Sequence, residues 1–133
     1  MDQKIFKNTS PRIKVIQKLY NALMNPEAVI EYPKSQYKKF IKEVVTGTLE
    51  RSDLIETKIS SFLDKDINLN KTDKLLKIIL FAAIFELMFR HNTPKKVIIS
   101  EYITASEHFL EKIQIGYLNA ILDKIAKELR KEE

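Results

Sequence analysis

Apolar residues are densest in the stretch LLKIILFAAIFELMF, Leu75 to Phe89, where every residue but Lys77 and Glu86 is apolar. At about 100° per residue these two charges fall on opposite sides of a helix. The stretch therefore has no solvated stripe, and between Ile78 and Phe85 it has no polar residue at all. A helix that is apolar all round is a buried one. It is also too short and too charged to span a membrane, which takes about 20 mostly apolar residues. The pattern predicts a central helix with the other helices packed around it. Ala82 and Ala83 leave room for close approach.

The rest of the chain alternates apolar and polar positions at helical spacing. Ile13, Ile16, Leu19, Tyr20 and Leu23 mark a first helix, with Thr9 or Ser10 as its cap and Pro11 at its first position. Asn25-Pro26 ends it, and residues 26–33 form a connector. Ser35 is the expected cap of a second helix that turns Tyr37, Phe40, Ile41, Val44, Val45 and Thr48 inward. Gly47 is a weak point near its end. Ser52 or Asp53 starts a third helix, with Ile55, Ile59, Phe62 and Leu63 inward. The polar run from Asp64 to Lys71 is the expected boundary between an N-terminal subdomain, residues 1–66, and a C-terminal one, residues 67–133. Asn70 and Asp73 resemble a capping box at the start of the central helix. Thr93 caps the next helix, with Pro94 at its first position and Ile98, Ile99, Tyr102, Ile103, Ser106 and Phe109 inward. Leu110 to Gly116 reads as a loop. The last helix packs Leu118, Ile121, Leu122, Ile125 and Leu129, then frays into the charged tail from Arg130. No strand pattern or internal repeat appears, so the fold class is all-α.

Composition narrows the chemistry. The 133 residues suffice for one domain with a core. Two glycines leave almost no means of building a phosphate-cradling loop. With no cysteine, disulfides, thiolate metal sites and cysteine nucleophiles are excluded. The N-terminus lacks the apolar core of a signal peptide, and the cytoplasm is the expected compartment. The net charge is +5. Its distribution is uneven, since residues 1–20 carry Lys4, Lys7, Arg12, Lys14 and Lys18 against Asp2 alone. A basic end of this kind suits a polyanion.

Candidate catalytic groups are few. His91 and His108 lie on different elements, and neither belongs to a metal or hydrolase motif. His91 at a helix C-terminus is a favourable dipole partner. Glu86, a carboxylate inside the most apolar helix, reads as structural: an ion pair with Arg90 one turn on, or a hydrogen bond between helices. Glu101 complements the dipole of its own helix. No cofactor or metal is expected, and the chain does not read as an enzyme. Basic residues beside an aromatic are more suggestive, with Arg12, Lys14 and Lys18 close to Tyr20. Single-stranded RNA is bound by cations along its backbone and by aromatics that stack on bases.

Three segments in order resemble the NusB family of transcription antitermination factors. They are Leu80–Leu87 (LFAAIFEL), Pro94–Glu101 (PKKVIISE) and Tyr117–Asp123 (YLNAILD). The family pattern is roughly LRxAxYEL, PxxVxINEA and FVNGVLD at these spacings. Leu19-Tyr20 in the first helix, and Phe40 with Val44-Val45 in the second, also fit. The resemblance implies two small helical bundles in one compact domain, about six or seven helices in all. It also implies RNA binding without catalysis: family members bind the boxA element of nascent ribosomal RNA with NusE, a small-subunit ribosomal protein, and act on RNA polymerase. The RNA-binding positions it implies here are Lys7, Arg12, Lys14, Tyr20 and Tyr117. Departures from the pattern are Phe81 for arginine, Phe85 for tyrosine, Ser100 and Tyr102 within INEA, and Ala120 for glycine.

Two other readings compete. Similar domains precede the catalytic domain of some ribosomal RNA cytosine methyltransferases, a reading that requires a truncated chain. A helical interaction module without RNA binding is the other. A homodimer is compatible with all three readings.

Overall fold

The computed structural model describes residues 10–62 and 72–131. Among them are six helices and no strand: α1 (Pro11–Met24), α2 (Lys38–Glu50), α3 (Ser52–Phe62), α4 (Lys74–Phe89), α5 (Lys95–Ser106) and α6 (Lys112–Leu129). Leu63, the Asp64–Lys71 boundary and Asn70 of the expected capping box lie outside the described residues. Asp73 caps α4, its carboxylate accepting from the Leu75 and Leu76 N–H groups.

α4 is the central helix. Ile79, Leu80, Ala82, Ala83, Ile84 and Leu87 are fully buried, and every other helix packs against it. α1 and α2 lie together on one side, and α5 and α6 pair on another. Ile13, Val15, Ile16 and Leu19 of α1, Val44 and Val45 of α2, Ile55 and Ile59 of α3, and Leu118, Leu122 and Ile125 of α6 complete a single core. This layout turns the first turn of α1 toward α4 and α5.

Gly47 is a close-approach point rather than a weak one. α2 continues through it, and the Phe85 ring of α4 occupies the space where a Cβ would stand. Both ends of α6 differ from the periodicity reading. α6 begins at Lys112, inside the expected loop, because Glu111 and Gln114 form a reciprocal capping box. Gly116 is then simply an exposed helical residue. At the other end, Arg130 does not fray but is buried. Its Nε donates to the Leu87 carbonyl at 2.8 Å, and its Nη atoms donate to the carbonyls of Thr93, Glu86 and Arg90. One guanidinium thus gathers four carbonyls at and just after the C-terminus of α4, two of which, Glu86 and Arg90, also accept from backbone N–H groups. α2 starts later than Ser35, at Lys38. Pro94 is the residue before α5 rather than its first.

Candidate nucleic-acid interface

α1 divides lengthwise. Ser10 caps it by accepting from the Arg12 N–H at 3.1 Å, and Pro11 opens the first turn, where a missing N–H costs nothing. Arg12, Ile13, Val15, Ile16 and Leu19 face in, while Lys14, Gln17, Tyr20 and Asn21 face out.

Arg12 is the main departure from the expected site. It is 8% exposed, so it lies inside the fold and not on an open surface. Its Nε donates to Glu86 Oε2 at 3.0 Å and its Nη2 to Glu86 Oε1 at 2.7 Å, a bidentate pair. The guanidinium also lies 4.8 Å from the Phe40 ring centroid and 5.5 Å from that of Tyr102, close enough for cation–π attraction. The Tyr102 hydroxyl donates to Glu86 Oε2 at 2.5 Å. Glu101 adds a longer ion pair to Arg12 at 3.6 Å and accepts from Ser10 Oγ at 3.1 Å. The start of α1 is thereby tied to α4 and α5 by charge-assisted bonds.

Burial penalises the charge on Arg12, but the hydrogen bond and charge of Glu86 outweigh it and raise the pKa above the usual value. Burial pushes the Tyr102 phenol well above its ordinary range, and the adjacent Glu86 carboxylate pushes it further. Glu86 therefore takes the interhelical hydrogen-bonding role that its apolar setting suggests, but its cation is Arg12. Arg90 pairs with Glu43 at 2.8 Å instead, and its guanidinium lies 4.9 Å from the Phe40 ring.

The remaining expected residues divide by accessibility. Lys14 is exposed. Tyr20 is 36% exposed and Tyr117, on α6, is 39% exposed. Lys18 is drawn toward the connector after α1: its ammonium donates to the Glu31 carbonyl at 2.5 Å and lies 5.4 Å from the Tyr32 ring centroid. Lys7 lies outside the described residues. α1 and α6 both pack against α4 and α5, and no hydrogen bond or ring contact joins Tyr117 to Lys14 or Tyr20 among the described residues. Sequence reasoning turned Phe40 inward but missed its stacking on Arg12, and it missed the Ser10–Glu101 link. For Arg12 the sequence does hold a signal of burial, since the residue shares the inward stripe of Ile16 and Leu19. Among the described residues no group of histidine, aspartate and glutamate is arranged to hold a metal ion. Among the same residues no helix is long and apolar enough to cross a membrane.

A family model described as "NusB family" matches residues 4–127. The transcription antitermination protein NusB of Rhodopseudomonas palustris strain HaA2 is 33% identical over 94 residues, covering 71% of this chain and 56% of that protein. Its counterpart in Nitrobacter hamburgensis is 33% identical over 94 residues, covering 71% of this chain and 59% of that one. The chain's match thus spans little more than half the length of these relatives. A solved structure of T. maritima NusB superposes with a TM-score of 0.76 at 25% identity, over 90% of this chain and 93% of that one. The helical fold of the described residues and a family match over nearly the whole chain agree: the chain belongs to the NusB family.

Proposed function

We propose that this chain is a transcription antitermination factor that acts by binding RNA rather than by catalysis. Its ligand is boxA-type nascent ribosomal RNA, held jointly with the ribosomal protein NusE. The complex then acts on RNA polymerase in the cytoplasm. The observation that carries this reading is the outer face of α1. Lys14 and Tyr20 stand open there while the inner face is locked to α4 and α5. A cation and an exposed ring on a rigid element are what single-stranded RNA requires.

In this reading Lys7 and Lys14 neutralise phosphates, and Tyr20 and Tyr117 offer rings to bases. Arg12 serves the site by fixing the start of α1 rather than by touching RNA. The division into subdomains of residues 1–66 and 67–133 is part of the same proposal, with α4 as the shared wall.

Fluorescence anisotropy with labelled boxA RNA and a scrambled RNA of equal length tests the function. The expected result is tighter binding of boxA than of the scrambled strand, with the difference increased by NusE. Equal, weak binding of both RNAs and no effect of NusE would reduce the protein to a helical interaction module.

A further inference from the structure

The outer stripe of α1 continues beyond Lys14. Lys18, Asn21 and Asn25 follow it four, seven and eleven residues on, within about 60° of arc at helical spacing. The stripe ends in an open pocket of about 410 Å³ between the second half of α1 and the connector after it. Lys18, Asn21, Met24, Asn25, Val29 and Glu31 are among the residues that line it. Two hydrogen bonds hold the connector against the helix. The Ala28 N–H donates to the Asn25 carbonyl at 3.1 Å, and the Lys18 ammonium donates to the Glu31 carbonyl at 2.5 Å. The pocket is thus preformed by bonds within the fold.

Its chemistry suits a base rather than a phosphate. Lys18 spends its ammonium on the Glu31 carbonyl. Glu27 and Glu31 on the connector are exposed, and their carboxylates repel a phosphate. The polar groups left over in the lining are the side-chain amides of Asn21 and Asn25 and the Glu31 carboxylate. None of the three makes a hydrogen bond or ion pair with another described residue. Beside them Met24 is 45% exposed and Val29 88% exposed, so apolar surface stands open next to unengaged donors and acceptors. A flat ring with a polar edge matches that combination. An amide both donates and accepts, whereas a carboxylate only accepts. Cytosine or adenine can bring an exocyclic amino group to Glu31, where uracil brings a carbonyl oxygen.

We propose that this pocket takes one base of a single RNA strand whose phosphates run past Lys14, and that Asn21, Asn25 and Glu31 read its edge and favour cytosine or adenine over uracil. The proposal rests on the RNA reading of α1 and adds a base-reading site to it. At 1.5 Å rise per residue, Asn25 lies roughly 16 Å along the helix from Lys14, so one short strand spans both. Sequence-specific recognition of single-stranded RNA works in this way, through bases splayed out of the stack and hydrogen-bonded at their edges.

The probes are labelled oligo(C) and oligo(U) of equal length, two pyrimidine strands with the same backbone charge. Affinity is read by anisotropy across a salt titration, and amide shifts of the full chain are mapped by NMR. The wild type should bind oligo(C) more tightly than oligo(U) by about tenfold, the scale of one good base contact. Oligo(C) should shift Asn21, Asn25, Ala28 and Val29. The double variant Asn21→Ala, Asn25→Ala should lose the preference at an unchanged salt slope. Glu31→Gln places a donor where the carboxylate stood, so the preference should vanish or reverse. All three side chains are exposed, and the melting temperatures should hold. Lys14→Ala should instead lower the salt slope by about 0.7 and keep the preference. Three results would overturn the proposal: equal binding of both strands by the wild type, a preference that survives in the double variant and in Glu31→Gln, or shifts lying elsewhere. If these come with a salt slope that still falls in Lys14→Ala, the pocket is wrong and the RNA reading stands. If neither strand binds and Lys14→Ala changes nothing, the RNA reading fails and the pocket with it.

Discussion

Arg12 and Glu86 are buried charges in largely apolar surroundings, and each is the main reason the other is tolerated. A buried pair of this kind adds little net stability over an apolar replacement, but removing one partner strands the other. Arg12→Ala should therefore cost about 3–5 kcal/mol, read as a lower midpoint in urea unfolding. The triple variant Arg12→Met, Glu86→Leu, Tyr102→Phe, which leaves no buried hydroxyl without a partner, should recover most of that loss. A small effect of Arg12→Ala would mean the pair is solvated in solution. The same cluster gives a pH signature. The Tyr102 pKa is raised in the folded state by burial and by Glu86. The stability contributed by the neutral phenol is whole below about pH 10, its unfolded value, and is lost as pH rises through the folded one. The melting temperature of the wild type should thus fall more steeply above about pH 10 than that of Tyr102→Phe. Parallel curves would contradict the assignment. Arg12 also marks the limit of what a sequence shows at this scale. Its place on the stripe of Ile16 and Leu19 is visible, but a basic residue near a basic terminus reads first as a surface cation. Only the position of Glu86, 74 residues later in the chain, reveals the partner.

Elements are more legible than side-chain partners. α4 announces itself through an unbroken apolar run, and the inward stripes of α1, α2 and α3 follow helical spacing because each packs on one side only. The start of α6 is obscured by Gly116, whose local preference is overridden by the Glu111–Gln114 cap. Gly47 shows the same limit, because its value lies in what crosses it. Any side chain there meets the Phe85 ring, so Gly47→Ala should destabilise by about 1–3 kcal/mol despite the higher helix propensity of alanine. Phe85→Leu in the same chain should relieve the clash, and thermal melts of the two single variants and the double would register the coupling. Arg130 makes a comparable prediction for α6. Arg130→Ala strips hydrogen bonds from four carbonyls at and after the end of α4. Amide exchange should then speed up from Leu87 to Thr93, which unchanged protection would refute.

Across the whole molecule, the locked and open faces of α1 divide the work. Ser10, Arg12, Glu86, Glu101 and Tyr102 hold the helix to α4 and α5. Lys14 and Tyr20 are thereby presented on a fixed frame, and Tyr117 is exposed on α6. The surface chemistry is legible in the sequence as basic residues near an aromatic; the frame is not, because it joins residues far apart in the chain. The central claim is that this open surface is the RNA site. Its most direct test is a salt titration of boxA binding by the wild type and by the triple variant Lys7→Ala, Lys14→Ala, Tyr117→Ala. Removing each phosphate-neutralising lysine should lower the magnitude of the log–log salt slope by about 0.7. Loss of a stacked ring should weaken binding by a further 1–3 kcal/mol or so without changing the slope. The expected result is a slope lower by about 1.4 and much weaker binding, at an unchanged melting temperature. Undiminished boxA affinity with an unchanged slope in the triple variant would contradict it.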